Sequence, residues 1–274
     1  MGASSAPQPA ASGRVTWRSR WRPGPNRIAA MPIVTTRCVV LQTYSYSDTS
    51  KILRLMTLDQ GPRSAIARGA LRPRSRFGGL IEPFAEGRAT LYVRENRELD
   101  TLSDFDLVKE RQGLGADLVR FAGASVLCEL VMRLAPSHRD QGLYRTLVAG
   151  LDALLTASEE RVDATVLRHL WCLVGVLGFE PHLADCLVCR RPIPPGASAH
   201  FEPAAGGLRC DTCGGPGGFV SALELAALRM LVSASAGLPA VDGLQRRMLV
   251  DYVRYHLAEG VRIRSLEFLA RICA

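Results

Sequence analysis

Residues 51–67 read KILRLMTLDQGPRSAIA. Two short runs rich in alternating apolar side chains flank the turn at Gly61-Pro62, which makes the stretch strand, turn, strand (51–57 and 63–67). Working outward, residues 34–44 are rich in β-branched side chains, and 88–93 and 99–107 repeat the strand pattern downstream. Five short strands within about 75 residues, punctuated by Gly and Pro, predict a small closed or nearly closed barrel. An OB-type and an SH3-like barrel read alike at this level.

After Gly113-Leu114-Gly115 the apolar period becomes helical. Residues 114–134 form a first helix, ended by Pro136. Ser137-His138-Arg139-Asp140 reads as a capping box opening a second helix to about Leu155. Residues 163–177 are apolar almost all round, Trp171 included, and are expected to be central. Ser221-Ala222-Leu223-Glu224 is a further capping box, starting a helix to about Ser233. Residues 244–258 and 265–272 complete the helical part.

Between these helices lie Cys186-Leu187-Val188-Cys189 and Cys210-Asp211-Thr212-Cys213. Each Cys-x-x-Cys offers two sulfurs to one metal, and two such knuckles complete a tetrahedron, so the spacing predicts a four-thiolate zinc site. A redox dithiol needs only one reactive pair. The loop between them is rich in Pro and Gly, so metal binding is expected to supply folding energy that burial cannot. A full cysteine shell leaves no open position, which makes the zinc structural. His182 and His200 lie close by but are not needed.

The expected class is therefore α+β: a five-stranded barrel, then an α-helical domain with an inserted four-cysteine zinc module. We place the boundaries at 1–30 (unstructured extension), 31–110 (barrel) and 111–274 (helices), with the module at about 182–218. Patterned sequence begins right after Met31, making that methionine an alternative start. Cys38, Cys128, Cys172 and Cys273 are scattered on apolar faces, as in a reducing cytoplasm. The longest uncharged apolar run, residues 170–179, is too short to span a bilayer.

Net charge is +8, of which five Arg in residues 1–30 supply +5, leaving +3 for the rest. The informative feature is local. Arg63, Arg68, Arg72, Arg74 and Arg76 fall together without an acid, beside Lys51 and Arg54. Pro73 and Gly78-Gly79 place part of this run on an exposed loop. Arginines on a small barrel, with Tyr44, Tyr46, Phe77, Phe84 and Tyr92 nearby, fit phosphate and base contact; a solvated face with the rings in the core is the bland alternative. Enzyme signatures are missing: neither Lys109 nor Lys51 follows a Gly, so no P-loop exists. Glu95, Glu98, Asp100, Asp104 and Asp106 are the densest acids; as metal ligands they would make a nuclease, but their interleaving with Leu99, Leu102, Phe105 and Leu107 predicts a solvated strand face.

Residues 44–53 (YSYSDTSKIL) resemble the N-terminal signature of the RecO family of bacterial recombination mediators. The likeness continues through Ala67-Arg68-Gly69-Ala70, Ser75-Arg76-Phe77-Gly78-Gly79 and Glu82-Pro83-Phe84. Further on it includes Arg97-Glu98-Leu99, Thr101-Leu102, Glu129-Leu130, Pro136-Ser137-His138 and Gly178-Phe179-Glu180-Pro181. Asp48, where the family often has Glu, and the extension before Met31 are departures. The resemblance implies an OB-fold, a helical domain and a zinc module. It also implies binding of single- and double-stranded DNA, strand annealing, and action with RecR to load RecA onto strands coated by single-strand-binding protein (SSB), without nucleotide hydrolysis. Carried onto this chain, the DNA-contacting candidates are Lys51, Arg54, Arg68, Arg72, Arg74 and Arg76. The family's contact with the acidic SSB tail is expected on the helical part, where Arg120 and Arg133 flank an apolar face.

Overall fold

The computed structural model describes residues 1–2, 32–93, 99–233, 237–257 and 262–272. The rest of the N-terminal 30 residues, Glu95, Glu98 and Cys273 lie outside the described residues. Residues Met31–Ala274 form one compact unit.

Strands β1 (Ile33–Ser45), β2 (Lys51–Thr57), β3 (Gly61–Ala67), β4 (Glu86–Tyr92) and β5 (Asp100–Lys109) close a barrel in the order β1-β2-β3-β5-β4. Closure depends on β1, which pairs antiparallel with both β2 and β4 and carries a bulge between Val40 and Gln42 that lets one long strand bend. A short parallel pairing of β3 with β5 shuts the other seam. Alternation then sorts the side chains. Cys38, Val40, Leu53, Leu55, Ala65, Leu91, Leu102 and Phe105 fill the barrel, with Phe77 and Ile81 from the β3–β4 connection. Gly87 is required here, since a Cβ would come within 2.3 Å of the Phe105 ring.

The opposite parity faces the helices: Val39, Leu41, Met56 and Phe84 belong to the helical core. Helix α1 (Leu118–Leu134) follows a short 3-10 turn and starts at Asp117, whose carboxylate accepts from the Arg120 N–H. Helix α2 (Gln141–Thr156) is capped by Asp140, not Ser137. The expected capping box is thus corrected: Asp140 is the residue in extended conformation whose oxygen reaches the Leu143 N–H, at 2.9 Å. Helix α3 (Val162–Val176) is buried along most of its length, as its all-round apolar pattern requires. Ser221 and Glu224 form the expected box at the start of α4 (Ala222–Val232); α5 (Gly243–His256) and α6 (Arg264–Ile272) follow.

The cysteine loop is more ordered than its composition announces. It holds a four-stranded sheet of β6 (His182–Cys186), β7 (Ala199–Glu202), β8 (Gly207–Arg209) and β9 (Gly218–Val220), in the order β6-β8-β7-β9. Phe201, Leu208 and Val220 from this sheet join the helical core.

A buried charge network fastens barrel to helices. The Arg111 side chain, fully buried, donates to Glu86 at 2.9 Å, to the Phe84 carbonyl at 3.0 Å and to Asp152 at 2.7 Å. Glu86, itself buried on β4, also accepts from Tyr144 on α2 and from Arg37 on β1. Phe84 stands in the left-handed region (φ 72), a strained backbone held by its N–H to the Val40 carbonyl (2.8 Å) and by Arg111 on its own carbonyl.

Candidate nucleic-acid interface and metal centre

The two cysteine knuckles are built alike. Arg190 N–H bonds back to the Cys186 carbonyl at 2.9 Å, and Gly214 N–H to the Cys210 carbonyl at 3.0 Å. The residue after each second cysteine turns left-handed, Arg190 at φ 61 and Gly214 at φ 53, which tightens each loop until both sulfurs point the same way. All four Sγ atoms lie within 4.8 Å of one another. Cys189 and Cys210 Sγ are 3.8 Å apart. Metal–thiolate bonds of about 2.3 Å in a tetrahedron place sulfurs roughly 3.8 Å apart, so the set fits one tetrahedral ion. Backbone N–H groups of Cys189 and Cys210 pull the Cys186 thiol down to about 6, whereas the neighbouring Cys210 and Cys189 sulfurs push Cys213 up to about 12. Arg191, which the sequence reading passed over, donates to Cys189 Sγ at 3.4 Å and lowers that thiol as well. His182 and His200 are engaged elsewhere, with Asp185 and the Gly217 carbonyl. This cysteine group is the sole cluster of three or more possible ligands among the described residues.

The basic run divides into three. Arg68, Arg72, Arg74 and Arg76 are exposed on the β3–β4 connection, and none forms an ion pair among the described residues. That connection is a chain of tight turns: Arg72 N–H to Gly69, Ser75 N–H to Arg72 and Gly78 N–H to Ser75 carbonyls. It is pinned to the β1–β2 turn by Leu71 N–H on the Thr49 carbonyl at 3.0 Å. Arg76 also caps the Phe77 ring, 5.0 Å from its centroid. Arg54 is exposed and bonded to Ser64 across β2–β3. Lys51 and Arg63 are committed within the barrel, to Glu82 at 2.7 Å and Asp100 at 2.9 Å.

Three expectations change. Asp100 is not a solvated acid: it is buried against Arg63, leaving Asp104 and Asp106 as the exposed pair around buried Phe105. Phe77 and Phe84 are core rings, because the β3–β4 connection folds them under itself; Tyr44 and Tyr46 are the exposed ones. Arg120 does not present its charge to a ligand face, since it donates to the Leu154 and Leu155 carbonyls at the end of α2. Arg133 stays exposed, 3.5 Å from Glu129. No helix among the described residues is long and apolar enough to cross a membrane.

Comparison with known proteins decides the family. The family description Recombination protein O N terminal matches residues 31–111, and Recombination protein O C terminal matches residues 115–267. The chain belongs to the RecO family. Similar RecO proteins, each named DNA repair protein RecO, include that of Bifidobacterium adolescentis, 32% identical over 250 residues (86% of this chain, 99% of the relative). The protein of Symbiobacterium thermophilum is 35% identical over 196 residues (70% and 76%), and that of a Nocardioides species 32% over 246 residues (85% and 97%). Membership in the RecO family supports a role in DNA repair and recombination.

Proposed function

We propose that this RecO-family chain is a non-enzymatic DNA mediator. It binds single- and double-stranded DNA through Arg68, Arg72, Arg74 and Arg76, anneals complementary strands, and works with RecR to load RecA onto SSB-coated DNA, receiving the SSB tail on its helical part. The observation that carries the DNA reading is four guanidiniums held outward on consecutive turns, without an ion pair among the described residues. Such a surface grips phosphates of any sequence and leaves bases free to pair, which is what annealing requires. The barrel's strand order and its bulged, twice-paired β1 support an OB-type assignment. In this reading residues 31–110 are the DNA-binding domain and 111–274 the supporting one. The ion between the knuckles is Zn²⁺ with a structural role, supported by four sulfurs and no open position. Arg54 is a further contact, whereas Lys51 reaches DNA only by releasing Glu82.

The triple variant R72A/R74A/R76A is expected to weaken binding on the order of a hundredfold near 0.1 M salt, and to flatten the log–log salt slope by about 0.9 per Arg on duplex and about 0.7 per Arg on single strand. Affinity for single strand and duplex is expected to fall alike, whatever the sequence. Anisotropy titrations at two or more salt concentrations check this, and an unchanged slope removes the loop from the reading. Incubation of labelled strands with Mg²⁺ separates annealing from the rival nuclease activity, because cleavage would contradict a mediator.

A further inference from the structure

Two cavities of about 430 and 610 Å³ share Leu41, Tyr44, Met132 and Arg133 in their walls. Together they form a groove between strands β1–β3 and helix α1, and its larger part is also lined by Arg264 and Ser265 at the start of α6. Arg54, Arg133 and Arg264 line it, besides the Arg63 already held by Asp100. Neither Arg54 nor Arg264 forms an ion pair among the described residues. Glu129 is the only carboxylate among the described residues of the walls, and Arg133 is paired with it at 3.5 Å. Glu129 also accepts from the backbone N–H groups of Arg264 (3.3 Å) and Ser265 (2.9 Å) and from the Ser265 hydroxyl (2.6 Å), so it caps α6. The groove is thus net cationic.

It also carries rings. Tyr44 is 44% exposed and Phe121 42% exposed, both in the walls. Phe84 packs edge-on against Phe121 at 5.9 Å and steadies it from below. The Tyr44 hydroxyl donates to the Gln42 side chain on its own strand, and both residues line the larger cavity. Half-exposed rings set among guanidiniums match a ligand with alternating apolar faces and negative charges. A single nucleic-acid strand offers that combination, since its bases are free to stack; a duplex offers phosphates alone.

We propose that this groove takes single-stranded DNA, with bases stacked on Tyr44 and Phe121 and phosphates on Arg54 and Arg264, and on Arg133 where it exchanges Glu129 for a phosphate. It, rather than the Arg68–Arg76 loop, sets the discrimination between single strand and duplex. The inference rests on the reading of the chain as a DNA binder and names how that binding is divided.

The test uses the full chain, an oligo-dT strand and a duplex of equal length in anisotropy titrations. Tyr44→Ala is expected to weaken oligo-dT about tenfold, the loss of roughly one stacked base, with duplex affinity and salt slope unchanged. Tyr44→Phe keeps the ring and is expected to bind as the natural chain does. R54A/R264A is expected to weaken oligo-dT and to lower its salt slope by about 1.4, roughly 0.7 per phosphate. The proposal is overturned if Tyr44→Ala leaves oligo-dT binding intact, or lowers strand and duplex equally. It is also overturned if these variants lose an acidic, aromatic-ending peptide while keeping oligo-dT, which would assign the groove to a peptide. A natural chain that binds neither DNA defeats both readings. Loss of duplex binding only in the loop triple variant, with Tyr44→Ala silent on oligo-dT, defeats this one alone.

Discussion

Cys186→Ser or Cys210→Ser is expected to abolish stoichiometric metal and unfold the β6–β9 sheet while the barrel keeps its structure. Metal binding is folding energy in such modules, amounting to roughly 10–16 kcal/mol in small zinc peptides. Here part of that is replaced by burial, because Phe201, Leu208 and Val220 also pack into the helical core. The loss should therefore appear as a separate, earlier transition. The sheet is short, and each knuckle closes through a single left-handed turn, at Arg190 and at Gly214. Metal analysis by mass spectrometry and thermal unfolding with and without chelator give the readout. Protons and metal compete for the same sulfurs, so metal affinity is expected to fall as pH is lowered below neutrality. A Cys186→Ser protein that melts like the natural chain, from a natural chain devoid of metal, would remove the ion from the account.

Arg111→Met is expected to cost about 3–5 kcal/mol, because it leaves Glu86 buried on β4 with a charge and fewer donors. The midpoint of thermal unfolding should drop by roughly 10 °C in a chain of this size. Arg111 is fully buried and touches no solvent, so the salt slope of DNA binding is expected to stay unchanged in whatever fraction remains folded. Restoring neutrality with Glu86→Gln on the same chain should recover part of the loss. The network also carries an acid sensitivity. Burial opposes ionisation of Asp152, yet Lys109 and Arg111 outweigh it and hold the carboxyl below its ordinary 3.8. A depressed carboxylate contributes stability that is present above its unfolded value and is lost as pH falls through the folded one. The junction should thus weaken below about pH 3.8, and less so in Arg111→Met, where one of the two partners is gone. Urea midpoints across that range measure the difference.

Much of this was legible along the chain. Period-two runs at 51–57 and 63–67 placed β2 and the body of β3, since alternation alone decides which side chains can share a face. The all-round apolar pattern around Trp171 marked α3 as central. Two Cys-x-x-Cys pairs marked the four-cysteine cluster, because each knuckle is a local turn whose geometry is independent of the rest. The basic run was visible, but its members were not distinguishable there. Lys51, Arg63 and Arg68 look equivalent in sequence.

What separates those residues is who stands opposite them. Glu82 meets Lys51 and Asp100 meets Arg63 only once the barrel closes, and Arg111 meets Glu86 and Asp152 only once the helices dock. These partners lie tens of residues apart, beyond any local period. The groove shared by Tyr44, Arg133 and Arg264 is of the same kind, with walls from three distant segments. Local spacing determined the strands, the helices and the cysteine knuckles, because their geometry is written within a few residues. Tertiary closure decided which charges are spent inside the protein and which remain for a ligand, because neutralisation depends on distances in space that sequence separation does not encode.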